Sequence, residues 1–191
     1  MLAPHPRYRD LARRLRRAAL RPSPWKGTFF RFTSARYAAS DDLVSGEGSR
    51  VHGGRWNPPG SFAAVYGSLE PETATAESLA LQRRYGVPDE WGMPRVLCAI
   101  ETDVKSVLVL DEAACAKLGL ELGELAREDW RAAEDLGRES LGRALGRAAH
   151  AAGFEGLLVP SAARRGARNL VVFPRALRPG SRLRARGLPA G

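Results

Sequence analysis

A chain of 191 residues with 44% hydrophobic content is long enough to bury a core, and its length favours one domain over two. Its formal net charge is +9, and almost all of the positively charged residues are arginines. This charge predicts attraction to phosphates, but it does not distinguish between nucleic acid, an anionic membrane, a dinucleotide and an acidic protein as the partner. No signal peptide is readable and no run approaches the roughly 20 apolar residues of a membrane span, so we expect a soluble protein without a membrane partner.

The first predicted element is a basic amphipathic helix from Tyr8 to Leu20. Apolar residues recur at helical spacing, and arginines occupy most of the opposite face. The arginine face is either solvated or a contact for a membrane or nucleic acid. We assign residues 1–26 to an N-terminal helical extension.

Pro22 and Pro24 end this helix, and the aromatic stretch Gly27 to Phe32 predicts a short strand. This strand is expected to place the Arg31 side chain in the interior of the protein. A buried guanidinium needs a partner, so Arg31 is expected to meet either a structural carboxylate or a bound phosphate.

The segment from Ser40 to Gly60 is rich in glycine and proline and predicts a long ordered loop, a kind of segment that is often functional. Its glycine pair Gly53-Gly54 allows close backbone approach, Arg55 supplies a planar anion-binding fork, and Trp56 offers a stacking face. This pattern suits a phosphate joined to a ring, although a structural turn with Trp56 in the core also fits. It matches neither the Walker nor the GxGxxG phosphate loop.

A strand from Phe62 to Tyr66 and a helix from Glu72 to Tyr85 follow. Glu77 lies in this helix among alanine and leucine, so its carboxylate emerges either near the buried side or on the surface. Tyr66 ends the strand, and its residue type alone is uninformative.

The next part of the chain predicts strands at Val96 to Ile100 and at Val107 to Leu110, with a short helix after Asp111. The acidic stretch from Glu121 to Gly137 shows no assignable pattern. Helical spacing returns from Ser140 to Ala152, before Gly153 as a C-terminal cap.

Two apolar strands, Gly156 to Val159 and Asn169 to Phe173, bracket a polar segment. Ser161 therefore lies at a strand end, without the GxSxG elbow of a serine hydrolase. Residues 179–191 form a tail rich in arginine, proline and glycine, for which we expect weak order.

Metal and disulfide chemistry are not indicated. Cys98 and Cys115 lack CxxC spacing and lie in apolar surroundings, and His5, His52 and His150 show no ligand spacing. We expect no metal, no cofactor and a reducing cytoplasmic location.

Taken in order, these motifs resemble the RES domain, a toxin family named after an arginine, a glutamate and a serine. The resemblance runs from about Phe29 to Pro174, and we assign residues 27–178 to this domain. It rests on Phe29-Phe30-Arg31, Gly53-Gly54-Arg55-Trp56-Asn57-Pro58-Pro59-Gly60, Tyr66, Ala74-Thr75-Ala76-Glu77, Val159-Pro160-Ser161-Ala162 and Asn169-Leu170-Val171-Val172-Phe173.

The resemblance implies an α/β (α+β) fold similar to ADP-ribosyltransferases, with a central mixed β-sheet and flanking helices in one compact domain. It implies NAD⁺ as a substrate, with inorganic phosphate as a candidate second substrate. The implied catalytic residues are Arg31, Glu77 and Ser161, and the implied NAD⁺-binding residues are Arg31, Gly54, Arg55, Trp56, Asn57, Tyr66 and Ser161.

The implied function is that of a toxin that cleaves the nicotinamide–ribose bond by hydrolysis or phosphorolysis and arrests growth. Glu77 would stabilise the positive charge that develops on the sugar. The implied partner is an antitoxin with a helix-turn-helix DNA-binding domain. Alternatives are ADP-ribosylation of a protein and, from another class, a basic nucleic-acid-binding module, which the acidic stretches disfavour.

Overall fold

A six-stranded mixed sheet lies at the centre of the structure, a computed structural model that describes residues 2–17, 20–84, 86, 88 and 94–186. In this part of the chain the strands are β1 (Ser23–Ser34), β2 (Val65–Ser68), β3 (Arg95–Val109), β4 (Gly156–Pro160), β5 (Arg168–Val172) and β6 (Arg182–Arg186).

Five of these strands close into a ring. The sheet runs β1-β2-β5-β4-β3-β6, and β1 also pairs with β3 along most of its length. The ring closes through a single register pair, Phe30 with Ser68, between β1 and β2. Only β3 and β4 are parallel, so the predicted central mixed sheet is confirmed.

The helices flank the sheet, and some of them begin at side-chain caps. The Asp111 carboxylate accepts a hydrogen bond from the Ala114 N–H at the start of one helix, and the Ser140 hydroxyl accepts one from the Arg143 N–H at the start of another. The helices are α1 (Tyr8–Arg17), α2 (Ser40–Ser45), α3 (Glu47–His52), α4 (Pro71–Arg84), α5 (Glu112–Leu118), α6 (Leu122–Arg127), α7 (Trp130–Asp135) and α8 (Leu141–Ala151).

Two apolar clusters hold the layers together. The larger packs α1, α5 and α8 against β3, β4 and β5, and it includes Leu11, Leu118, Leu145 and Val171. The smaller lies among the strands of the ring. Each fully buried leucine contributes about 1.5–3 kcal/mol relative to an exposed one, so these clusters are the main stabilising contribution.

Three features differ from the sequence-based expectations. The two strands predicted at Val96 to Ile100 and Val107 to Leu110 are one strand, β3, because Thr102 and Val104 continue the inward alternation while β1 and β6 pair with the polar stretch between them. The predicted loop from Ser40 to Gly60 contains α2 and α3. Residues 182–186 of the predicted tail form β6, paired with β3.

The remaining predicted elements are present with shifted ends. Ala18 and Ala19 of the predicted first helix, Tyr85 at the end of the predicted helix from Glu72, and residues 187–191 of the tail lie outside the described residues. Across the described ranges, no helix combines the length and apolarity needed to cross a membrane.

Candidate active site

Glu77 and Ser161 are joined by a hydrogen bond. Glu77 lies on the second turn of α4, and Ser161 follows the last residue of β4. The Ser161 hydroxyl donates to Oε1 of Glu77 at 2.6 Å. The structure therefore brings together two of the three residues predicted to be catalytic.

Asn169 completes this cluster from the neighbouring strand. Its side-chain Nδ2 donates to the same Glu77 oxygen at 2.6 Å, while its Oδ1 accepts from the Ser68 hydroxyl at 2.7 Å. The backbone N–H groups of Ala162 and Ala163 are 3.1 and 3.4 Å from Glu77 Oε1. The hydrogen bonds converge on one carboxylate oxygen, and Oε2 of Glu77 accepts none from the described residues.

Hydrogen bonds made by Ser161 stabilise the loop that follows β4. Ser161 Oγ accepts hydrogen bonds from the backbone N–H groups of Ala163 and Arg164, and the Ser161 N–H donates to the Ala167 carbonyl at 2.9 Å. Arg164 then forms a 2.7 Å ion pair with Glu70 next to α4. These contacts present the two alanine N–H groups to Glu77.

The segment Gly53–Asn57, here called the glycine loop, packs against Tyr66. A side chain at Gly54 would place its Cβ 2.5 Å from the Tyr66 hydroxyl oxygen, so only glycine fits without movement. Gly53 adopts the left-handed region at φ +73°. The Trp56 N–H donates to the Tyr66 hydroxyl at 3.0 Å, which in turn donates to Asn57 Oδ1 at 2.6 Å.

Trp56 and Asn57 lie inside the protein. Trp56 is 3% exposed and belongs to the larger apolar cluster, and Asn57 is fully buried. The Asn57 amide nitrogen donates to the carbonyls of Ser49 and Phe62. Their side chains thus support the loop in this structure, whereas the sequence offered Trp56 as either a stacking face or a core residue.

Arg55 connects the glycine loop to the segment that the sequence left unassigned. Its Nη2 donates to the carbonyls of Leu125 and Ala126 at 2.6 and 2.9 Å. Burial lowers the pKa of Arg55, and the charges of Glu128 and Glu77 oppose that shift.

Arg31 lies on β1 opposite Cys98 of β3. Its Nη1 donates to the Leu43 carbonyl of α2 at 2.6 Å, and burial lowers its pKa. Among the described residues, no hydrogen bond joins Arg31 to Glu77, Ser161 or the glycine loop. Its chain neighbour Phe30 pairs with Ser68 of β2. The Ser68 hydroxyl in turn donates to Asn169, which binds Glu77.

Sequence reasoning missed three members of this region: Asn169, Ser68 and Arg143, whose Nε donates to the Gly54 carbonyl of the glycine loop at 2.8 Å. Asn169 carried a signal, since it is the polar residue that directly precedes the apolar run Leu170 to Phe173. Ser68 and Arg143 carried none, because their importance comes from neighbours far away in the chain. Across the residues that the structure covers, no group of three or more His, Cys, Asp or Glu side chains is placed to hold a metal.

Known proteins are similar to this chain in sequence and in fold. A family model for the RES domain matches residues 28–188. The NAD(+) phosphorylase MbcT of Mycobacterium tuberculosis is 31% identical over 144 residues, which are 72% of this chain and 69% of that protein, and the protein of that name from Mycobacterium bovis is equally similar. A chain in the crystal structure of the M. tuberculosis MbcT–MbcA toxin–antitoxin complex matches with a TM-score of 0.70 at 29% identity, covering 93% of this chain and 90% of that one.

Proposed function

Because the chain belongs to the RES-domain family, we propose that it is the toxin of a toxin–antitoxin pair and degrades NAD⁺ by cleaving the bond between nicotinamide and ribose. The similarity to an NAD(+) phosphorylase and to a chain of a toxin–antitoxin complex supports both parts. The main support for this chemistry is the arrangement of Glu77: four donors hold one carboxylate oxygen, and the other accepts no hydrogen bond from the described residues.

This arrangement suits the charge that develops during cleavage. When the C–N bond breaks, its electron pair stays on the nicotinamide nitrogen and the ribose carbon becomes cationic. A carboxylate held in place by its neighbours stabilises that cation without having to reorganise. Oε2 of Glu77 is the oxygen available for the ribose, while Ser161 and Asn169 orient the group through Oε1.

The other predicted residues bind and position the substrate. Arg55 retains Nη1 and Nε without hydrogen bonds in the described part of the chain, so these groups are available to the pyrophosphate. Arg31 supplies a second permanent charge from β1. Gly54 lets the backbone come close, and Tyr66, Trp56 and Asn57 maintain the shape of the loop.

The second substrate completes the reaction. Water attacking the ribose carbon gives ADP-ribose and a proton, and inorganic phosphate gives ADP-ribose phosphate; both release neutral nicotinamide. The similarity to an NAD(+) phosphorylase supports phosphate as the acceptor. The resemblance supports a cognate antitoxin with a helix-turn-helix domain as the partner, and the consumption of NAD⁺ supports a cytoplasmic location.

The test is release of nicotinamide from NAD⁺ by the purified 191-residue chain, with and without phosphate. The wild type should release nicotinamide, and Glu77→Gln should lose about 10²–10³-fold in kcat because the charge opposite the ribose is gone. Glu72→Gln is the matched control, since Glu72 lies on the same helix with its side chain 72% exposed.

Two outcomes would contradict this proposal. Folded wild-type protein that releases no nicotinamide with either acceptor would exclude NAD⁺ cleavage. Transfer of label from the adenine half of NAD⁺ to a protein, in place of free ADP-ribose or its phosphate, would instead identify a protein ADP-ribosyltransferase.

A further inference from the structure

Helix α8 lies directly beneath the glycine loop because two of its residues have no side chain. A Cβ on Gly146 would be 1.9 Å from the Trp56 carbonyl oxygen, and a Cβ on Gly142 would be 3.0 Å from the Arg55 carbonyl oxygen. The distance at Gly146 excludes a side chain and the distance at Gly142 is tighter than most Cβ contacts, so α8 and the loop backbone are in close contact. The nearest loop atoms in each case are carbonyl oxygens.

A third carbonyl of the loop is bound by Arg143, between the two glycines on α8. Its Nε donates to the Gly54 carbonyl at 2.8 Å. The carbonyls of Gly54, Arg55 and Trp56 therefore all turn toward α8. In a planar trans peptide the N–H points opposite to the carbonyl, so the N–H groups of Arg55, Trp56 and Asn57 turn away from this helix.

One of these three donors is both unused and accessible. The Trp56 N–H binds the Tyr66 hydroxyl, the Asn57 N–H belongs to a fully buried residue, and the N–H of Gly54 binds the Asn57 carbonyl at 2.9 Å. The Arg55 N–H makes no hydrogen bond to any residue that the structure describes, and Arg55 is only half-buried. This N–H lies on the opposite side of the peptide whose carbonyl Arg143 binds, so it is available to an anionic acceptor.

Arg143 itself is in an unusual state. It is fully buried, its guanidinium lies 4.7 Å from the centre of the Trp130 ring, and Nη1 is 3.1 Å from the Glu134 carboxylate. Nη1 and the Glu134 carboxylate are close enough for an ion pair but are not aligned for a hydrogen bond. Within the described ranges, neither Nη atom of Arg143 makes a hydrogen bond. A Cβ on Gly53 would be 3.0 Å from Nη2, so the group is aimed at the loop.

Burying Arg143 with both Nη atoms unbonded is costly, and its one hydrogen bond to the loop goes to the Gly54 carbonyl. We propose that Arg143 is a positioning residue, which holds the Gly54 carbonyl toward α8 and thereby directs the Arg55 N–H, on the opposite side of the same peptide, at the pyrophosphate of the dinucleotide. Arg143 acts through the loop backbone and does not itself contact the substrate. This inference rests on the proposed NAD⁺ cleavage.

The first experiment compares Arg143→Met with Arg143→Lys in the nicotinamide-release assay. Loss of the Gly54 contact frees the loop, so Arg143→Met should raise KM for NAD⁺ about 10-fold with little change in kcat, as expected for loss of binding shared by ground and transition states. Arg143→Lys keeps a charged donor and should restore part of the affinity.

The matched control is Arg147→Met. Arg147 lies one turn further along α8 and pairs with the buried carboxylate of Glu139 through two hydrogen bonds, away from the glycine loop. This variant loses a buried ion pair but should keep the wild-type KM. Wild-type KM in folded Arg143→Met would overturn the inference while leaving NAD⁺ cleavage intact, whereas an inactive wild type would overturn the proposed function itself.

A second experiment needs no variant. In amide NMR spectra of the wild-type protein, titration with ADP-ribose should move the Arg55 amide proton downfield, because it gains a charged acceptor. The Gly54 amide proton already has an acceptor within the loop and serves as the internal reference. Saturation by ADP-ribose without movement of the Arg55 signal would overturn the inference even if Arg143→Met does not fold.

Discussion

Oε1 of Glu77 accepts a 2.6 Å hydrogen bond from the hydroxyl of Ser161, a residue 84 positions away in the chain. The bond joins the middle of α4 to the end of β4, and Asn169 at the start of β5 binds the same oxygen. Two strand ends therefore orient one carboxylate. Glu77 and Ser161 therefore form one hydrogen-bonded unit rather than two separate groups.

Ser161→Ala should lower kcat for nicotinamide release about 10-fold, because a hydrogen bond to a charged group contributes about 1.5–3 kcal/mol and Asn169 still orients Glu77. The measurement is the rate of nicotinamide release at saturating NAD⁺. Combining Ser161→Ala with Asn169→Ala should approach the loss seen for Glu77→Gln. A double variant no slower than Ser161→Ala alone would show that Asn169 does not share this role.

Tyr66→Phe should destabilise the protein by about 1–3 kcal/mol, because the Trp56 N–H and Asn57 Oδ1 both lose their partner without a change in packing. Burial raises the pKa of Tyr66 above its ordinary value. Its stabilising contribution is therefore complete below about pH 10, the ordinary tyrosine pKa, and is lost as the pH rises toward the folded-state pKa. Urea unfolding across this range should show a smaller alkaline loss in Tyr66→Phe; parallel curves for the two proteins would contradict the assignment.

Gly146→Ala should destabilise the protein by about 1–3 kcal/mol, although alanine is normally the better helix residue, because its Cβ would meet the Trp56 carbonyl. Thermal unfolding measures this loss. Gly48→Ala is the matched control: Gly48 also lies in a helix, α3, and a Cβ there meets nothing within 4 Å. It should be neutral or stabilising, and equal unfolding temperatures for the two variants would contradict close packing of α8 against the glycine loop.

Glu155→Gln should cost about 2–4 kcal/mol at neutral pH, because the Glu155 carboxylate accepts the N–H groups of Lys105, Ser106 and Arg178, and an amide must turn its NH₂ toward one of them. Burial raises the pKa of Glu155, but hydrogen bonds outweigh it and the net pKa is lowered. The stabilisation is thus present above the ordinary glutamate pKa and lost as the pH falls through the lower folded-state value. Urea unfolding should show the two proteins converging in acid; a constant difference would contradict this prediction.

Local sequence pattern was sufficient for much of the fold. The spacing of apolar residues predicted α1, α4 and α8, and the apolar runs predicted β4 and β5, because each of these elements buries one face or both. The order of Arg31, Gly53 to Asn57, Glu77 and Ser161 was sufficient to identify the family. These features depend on residue types and their spacing, which can be read without knowing what packs against them.

Long-range contacts decided the rest. The polar middle of β3 is a strand because β1 and β6 pair with it, and α2 and α3 form in a glycine-rich segment where Leu43 is buried by the sheet. Asn169 and Arg143 became part of the site only when the ring of strands and α8 brought them to Glu77 and Gly54. The sequence by itself determined which residue types were available for the chemistry. The tertiary structure determined which of their atoms form hydrogen bonds and which remain unbonded. The reason is that hydrogen bonds between residues far apart in the chain depend on the folded backbone.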